Sequence, residues 1–219
     1  MRQSAITWKS EMAEDDLSLL LDNLEIADFS GSHLEIGTAA GGTLVELGKF
    51  YQEKKKKVKF LVVDPMSYFD NQLEIVKANL DKNNIDPKSV EFLVGTSKQV
   101  FDSSVRRDLN LDFILVDGSH KCRHVMKDLK WIQHLNINGI IAFDDYQSGF
   151  DGVDWVVDNF LKRHPGFEVI AQGQRLLLVK KVKARVGPMV SVFDLLVAEA
   201  LNPFFQLKKS IMKRLSRLS

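Results

Sequence analysis

Apolar residues follow two rhythms along the chain. Met12, Ala13, Leu17, Leu20, Leu21, Leu24 and Ala27 recur at three- and four-residue intervals, the period of an amphipathic helix. Short apolar runs come next: His33–Ile36, Val58–Val63, Val90–Val94, Leu111–Val116 and Gly139–Phe143. Runs this short and continuous fit strands buried on both faces of a parallel sheet. The segments between them, 43–53, 70–83, 97–107 and 121–135, carry helical patterning, and a further helix is expected near 152–163. Phe167–Ala171 and Leu176–Lys180, parted by a Gln-Gly-Gln turn, read as a hairpin. Five strand–helix units and a closing hairpin predict an α/β fold. Its sheet would be doubly wound, seven-stranded and mostly parallel, with an antiparallel C-terminal hairpin.

In such a sheet the ligand sits beyond the carboxyl ends of the strands. The polar residues gather there. Glu35 and Gly37 follow the first strand, Asp64 the second, Gly95 and Thr96 the third, Asp117 the fourth, and Asp144 with Asp145 the fifth.

Composition narrows the class. The 219 residues are enough for one sizeable domain, and 45% apolar with 27% charged is globular rather than disordered. The single cysteine, Cys122, rules out an internal disulfide and a cysteine-rich zinc site. No signal-like segment and no span of about 20 apolar residues is present, so a cytoplasmic protein is expected. A net charge of +1 argues against a dedicated nucleic-acid binder. That charge is unevenly spread, since residues 203–219 carry +5 and no acid, which leaves −4 for residues 1–202.

Four stretches could carry chemistry. In Leu34-Glu35-Ile36-Gly37-Thr38-Ala39-Ala40-Gly41-Gly42-Thr43, Gly37 allows a tight turn, and Ala39 and Gly41 let a ligand lie against the main chain. Ala39 breaks the dinucleotide fingerprint, and the acid two residues before Gly37 suits a cationic ligand better than a pyrophosphate. Asp64 can accept hydrogen bonds from vicinal ribose hydroxyls, or serve as a turn residue before Pro65. Thr96 and Gln99 have capping-box spacing, which by itself explains them; a contact from Thr96 or Ser97 to an adenine is the functional alternative. The fourth stretch joins Asp112-Phe113-Ile114-Leu115-Val116-Asp117-Gly118-Ser119-His120 with Phe143-Asp144-Asp145-Tyr146. Like charges at neighbouring strand ends call for a cation among them, and Asp117, Asp144 and Asp145 offer the all-oxygen ligands that Mg²⁺ takes. His120, beside these acids, is a candidate general base; a ligand, positioning or plain surface role is the alternative.

With these residues in place, the sequence resembles the class I S-adenosylmethionine-dependent methyltransferases. Within that group it is similar to the metal-dependent O-methyltransferases of macrocin and cephalosporin biosynthesis, and more distantly to the catechol type. The matching segments are LEIGTAAGGT, VVDP, VGTSKQVF, DFILVDGSH and INGIIAFDDY, within roughly residues 33–180. The resemblance implies a Rossmann-like methyltransferase fold. It places Glu35, Gly37 and Gly41 at the methionine end of the cofactor, with Ala39 also against the cofactor, Asp64 at the ribose, and Thr96 or Ser97 at the adenine. Asp117 would serve both cofactor and reaction. Asp117, Asp144 and Asp145 would hold a divalent metal, Mg²⁺ by expectation, and His120 would be the base. The acceptor would be a hydroxyl of a small molecule or sugar. A nucleotide-dependent oxidoreductase and a silent binding subunit are the rival readings.

On this reading residues 1–31 form an N-terminal arm and helix, 32–183 the methyltransferase domain, and 184–219 a basic amphipathic helical tail. Ile6, Trp8, Tyr68, Phe69 and Tyr146 to Phe150 are candidates for an acceptor cover. The tail reads as a helix pair broken at Asn202-Pro203. Phe204, Phe205, Leu207, Ile211, Met212, Leu215 and Leu218 alternate there with basic residues. Packing on the body, a homodimer contact and a peripheral contact with the inner face of a membrane are its three open partners.

Overall fold

A computed structural model describes residues 9–27, 29–103, 109–184 and 188–215. Ile6, Trp8, Leu218 and the end of the helix expected over 97–107 lie outside the described residues. Strands β1 (Ser32–Ile36), β2 (Phe60–Asp64), β3 (Val90–Val94), β4 (Leu111–Val116), β5 (Leu135–Phe143), β6 (Phe167–Gln172) and β7 (Leu177–Lys181) form one sheet in the order β3-β2-β1-β4-β5-β7-β6. The first five run parallel, and β7 pairs antiparallel with both β5 and β6. The sheet is therefore mixed, and its antiparallel strands are those of the expected hairpin.

Burial explains why the apolar runs became strands. Every residue of β2 and β4 is buried, so each strand needs apolar side chains on both of its faces. Alternation then sorts them. Leu61, Val63, Ile114 and Val116 join a core with helices α5 (Cys122–Asp128), α6 (Asp151–Arg163) and α7 (Val192–Leu215). Phe60, Val62, Phe113 and Leu115 face the other way, toward α1 (Glu14–Glu25), α2 (Gly42–Glu53) and α3 (Gln72–Lys82). Helix α4 (Ser97–Asp102) follows β3.

Three elements differ from the sequence expectation. The helix expected over 121–135 stops at Asp128 and tightens into a 3₁₀ turn, Leu129–His134. Strand β5 begins at Leu135 rather than Gly139, because an irregularity in its pairing with β4 absorbs the Asn138-Gly139 turn. Third, α7 runs through Pro203 instead of breaking there. Pro203 is exposed, so the helix carbonyl deprived of its partner lies on the solvent side. The opposite side of α7 is anchored, with Ala198 fully buried and Leu195 and Phe205 packed against the core.

Candidate functional site

Strand order 3-2-1-4-5 places the C-terminal ends of β1, β2 and β4 side by side, and a cavity of about 940 Å³ opens above them. Its size is near the upper end for small-molecule sites, which leaves room for two ligands side by side. Glu35, Gly37, Ala39, Asp64, Thr96, Ser97 and Asp117 line one part. Ser119, His120, Lys121, His124, Gln206 and Lys209 line another.

The β1–α2 turn is shaped by what surrounds it. Gly37 has φ +85°, and a Cβ there would run into the Asp117 carbonyl, so no side chain can stand between these two strand ends. Gly41, expected to line the ligand, instead caps α2 in left-handed backbone and packs against Val76 outside the cavity wall. Ala39, also left-handed, does reach the cavity.

Asp64 is held by its neighbours. Its Oδ2 accepts from the Thr38 amide at 3.0 Å, and Oδ1 from the Met66 amide at 2.6 Å and Gln72 Nε2 at 3.2 Å. Gln72 Nε2 also donates to the Ala39 carbonyl at 3.0 Å, tying α3 to the glycine turn. Glu35 is buried, and its Oε2 has no hydrogen-bond partner. Burial pushes its carboxyl up to about 8; a bond from Thr38 opposes this and the charge of Asp64 adds to it. Thr96 and Gln99 make the expected capping box on α4, and the hydroxyl of Ser97 accepts from Trp131 Nε1 at 2.9 Å.

The acids after β4 and β5 form a connected cluster. Burial raises Asp117 well above the usual carboxylate range, and the charges of Asp144 and Glu35 raise it further. The Asp144 carboxyl is likewise raised, by burial and by the charge of Asp145. Burial acts the same way on Asp145, yet its contacts with His120, Arg175 and Ser148 hold it below its ordinary value. His120 Nε2 lies 2.5 Å from Asp145 Oδ2, and the ring stacks at 4.2 Å on Phe150. Arg175 Nη2 pairs with Asp145 Oδ1 and lies 3.8 Å from Asp144 Oδ2.

Arg175 escaped the sequence reading. It belongs to the hairpin turn, and only the β5–β7 pairing brings that turn to the acids. Its one signal in the sequence is a charged residue directly before the apolar run Leu176–Val179. Asp112, by contrast, lies at the opposite end of β4, where it accepts from the Ser30 amide at 2.6 Å and Asn136 Nδ2 at 2.5 Å.

A divalent ion does not fit the expected trio as it stands. Asp145 commits its oxygens to His120, Arg175 and Ser148. Among the described residues no group of three His, Cys, Asp or Glu side chains is placed to hold a metal. The positive charge that these acids require comes from Arg175. Of the trio, only Asp117 lines the large cavity; Asp144 lines a small pocket behind it.

Of the expected cover residues, Tyr68 lines the cavity, edge-on to Phe69 at 5.6 Å. Phe150 supports His120, and Tyr146 Oη turns away to donate to Asp158 at 2.8 Å. Sequence reasoning gave no cavity role to Gln206 and Lys209, which α7 brings to the wall.

Known proteins share this fold. Residues 34–146 match the family described as Methyltransferase domain. A relative from Clostridium tetani (strain Massachusetts / E88), described as an uncharacterized RNA methyltransferase, is 29% identical over 98 residues. That alignment takes in 45% of this chain, which spans only about a fifth (19%) of the relative's length. Among solved structures, the calicheamicin methyltransferase CalS11 superimposes with a TM-score of 0.60 at 13% identity, over 75% of this chain and 78% of that one. The O-methyltransferase TomG from Streptomyces achromogenes gives 0.55 at 16% identity, over 80% and 82%. At such identities the likeness is one of fold. The family match carries more, because it runs from the first sheet strand past the end of the fifth and takes in more than half of the sequence. The chain belongs to the family described as Methyltransferase domain.

Proposed function

We propose that this protein transfers a methyl group from S-adenosylmethionine to a hydroxyl oxygen of a polar small molecule or sugar, with His120 as general base. The observation that carries this reading is the shared cavity. The nucleoside-type residues Asp64 and Thr96 and the candidate base His120 line one continuous space.

The wall fits the cofactor. Glu35 offers an unpartnered buried oxygen suited to an ammonium or sulfonium, and Asp64, already fixed by three N–H donors, keeps lone pairs for a ribose diol. When bound, S-adenosylmethionine supplies an electrophilic methyl group on a cationic sulfur. The work of the chain is then to position the acceptor and take its proton. With Nε2 engaged by Asp145, His120 has Nδ1 left to accept the hydroxyl proton, and Asp145 stabilises the resulting imidazolium. Phe150 and Arg175 hold this pair from either side. The polar lining from Ser119, Gln206 and Lys209 supports a hydroxyl-rich acceptor. The solved relatives include an enzyme described as a TDP-rhamnose 3'-O-methyltransferase, which favours the same choice.

The test is formation of S-adenosylhomocysteine over a panel of sugar and phenol acceptors. Replacing His120 by Ala is expected to lower turnover about 10²- to 10⁴-fold. The melting-temperature rise on adding S-adenosylhomocysteine should be unchanged. Undiminished turnover in the variant removes the base assignment, and loss of the temperature shift in the wild type removes the cofactor.

A further inference from the structure

Helix α7 has two apolar sides, and only one is covered. The inner side, with Leu195, Ala198 and Phe205, packs on the body. The outer side carries Phe193, Leu196, Phe204, Leu207 and Ile211, with exposures of 66, 64, 61, 61 and 47%. These positions recur near the helical period and so share one stripe, about 27 Å long at 1.5 Å per residue. Large exposed apolar side chains gathered in this way mark a contact surface rather than the usual scatter of surface leucines.

Charge selects the partner. After Glu199 the sequence has no acid, while Lys208, Lys209, Lys213, Arg214 and Arg217 follow. We propose that α7 docks its outer stripe on the surface of an anionic lipid bilayer, drawn there by the positive charge of this acid-free end, of which Lys209 lines the cavity and Lys208 pairs with Asp151 at 2.9 Å. No helix among the described residues is long and apolar enough to cross a membrane, so α7 would lie in the interface plane. A second copy of the chain fits less well. Parallel pairing sets the two basic ends together. Antiparallel pairing brings the basic end to Asp194 and Glu199, which are already paired with Arg163 and with Arg123 and Lys127. Headgroup phosphates supply the negative charge that the helix itself lacks.

The full-length protein should sediment with vesicles of phosphatidylcholine and phosphatidylglycerol, and not with phosphatidylcholine alone, and salt should release it. The double variant Leu207→Glu/Ile211→Glu changes only exposed positions; it should stay in the supernatant while its circular-dichroism melt matches the wild type. Lys213→Gln/Arg214→Gln should weaken partitioning by about fivefold per cation removed. The proposal is overturned if the wild type ignores both vesicle types, binds both equally, or sediments as well with the acidic double variant. Light scattering showing a dimer that Leu207→Glu dissociates overturns it as well, in favour of a second copy.

Discussion

At the scale of single residues, the least expected side chain is His33. Phe29, Tyr51, Phe60 and Phe113 surround its ring at 5.1 to 5.8 Å, and neither ring nitrogen has a hydrogen-bond partner. Burial drives its pKa down to about 3, against a partial upward pull from Asp112. The unfolded chain therefore binds a proton on His33 that the folded chain refuses between about pH 6.5 and 3, and stability falls as pH drops through that window. His33→Phe removes two unsatisfied nitrogens and keeps the aromatic packing. It should stabilise the protein by about 1 kcal/mol in urea unfolding at neutral pH, and by more in acid. Arg175 allows a second test. Arg175→Ala leaves Asp144 and Asp145 without their cation, so the melting temperature should drop in metal-free buffer. Added Mg²⁺ should then raise it further in the variant than in the wild type, as differential scanning calorimetry can measure.

Among the elements, local pattern and tertiary pairing contributed unequally to what could be read in advance. The β2 and β4 runs were legible because their centres, Phe60–Val63 and Phe113–Val116, are apolar and buried on both faces, with a buried aspartate only near one end of each strand. Asp64, Asp117, Asp144 and Asp145 were legible because they follow such runs directly. Arg175 was not, because β7 joins the sheet beside β5 rather than beside its hairpin partner alone, a pairing that no local signal encodes. Nor was the continuity of α7, where burial of Ala198 on one turn and packing of Phe205 on the next outweigh one missing hydrogen bond at Pro203. The hairpin turn itself depends on α1. Buried Asp16 accepts from the Gln174 amide at 2.7 Å and the Arg175 amide at 3.0 Å. Asp16→Ala leaves both amides unpaired and should cost about 2–4 kcal/mol in chemical denaturation. If Arg175 needs that grip to reach Asp145, methyl transfer should fall in this variant more than S-adenosylhomocysteine affinity does.

Over the whole molecule, folding and ligand binding meet at Glu35. Its folded carboxyl, near 8, lies above its ordinary 4.5, so the folded chain binds the extra proton between these values. Stability is then greatest below about pH 4.5, as far as this group goes, and is lost as pH rises toward 8. Glu35→Gln should flatten this part of the melting-temperature profile in the ligand-free protein. On the proposed reading, S-adenosylhomocysteine should steady the wild type more at pH 8 than at pH 5, since its ammonium group favours the ionised carboxylate. A wild-type profile that runs parallel to that of Glu35→Gln removes this linkage.

The inward and outward residues of α7 alternate within the same turns: Gln206 and Lys209 face the chamber, while Leu207 and Ile211 face out. The outer stripe and the cavity wall are thus separated by the thickness of a single helix. Trimming the chain at Asn202 would strip Gln206 and Lys209 from the cavity wall together with Phe204, Leu207 and Ile211 from the outer stripe, and rates measured on such a fragment would describe a differently shaped room.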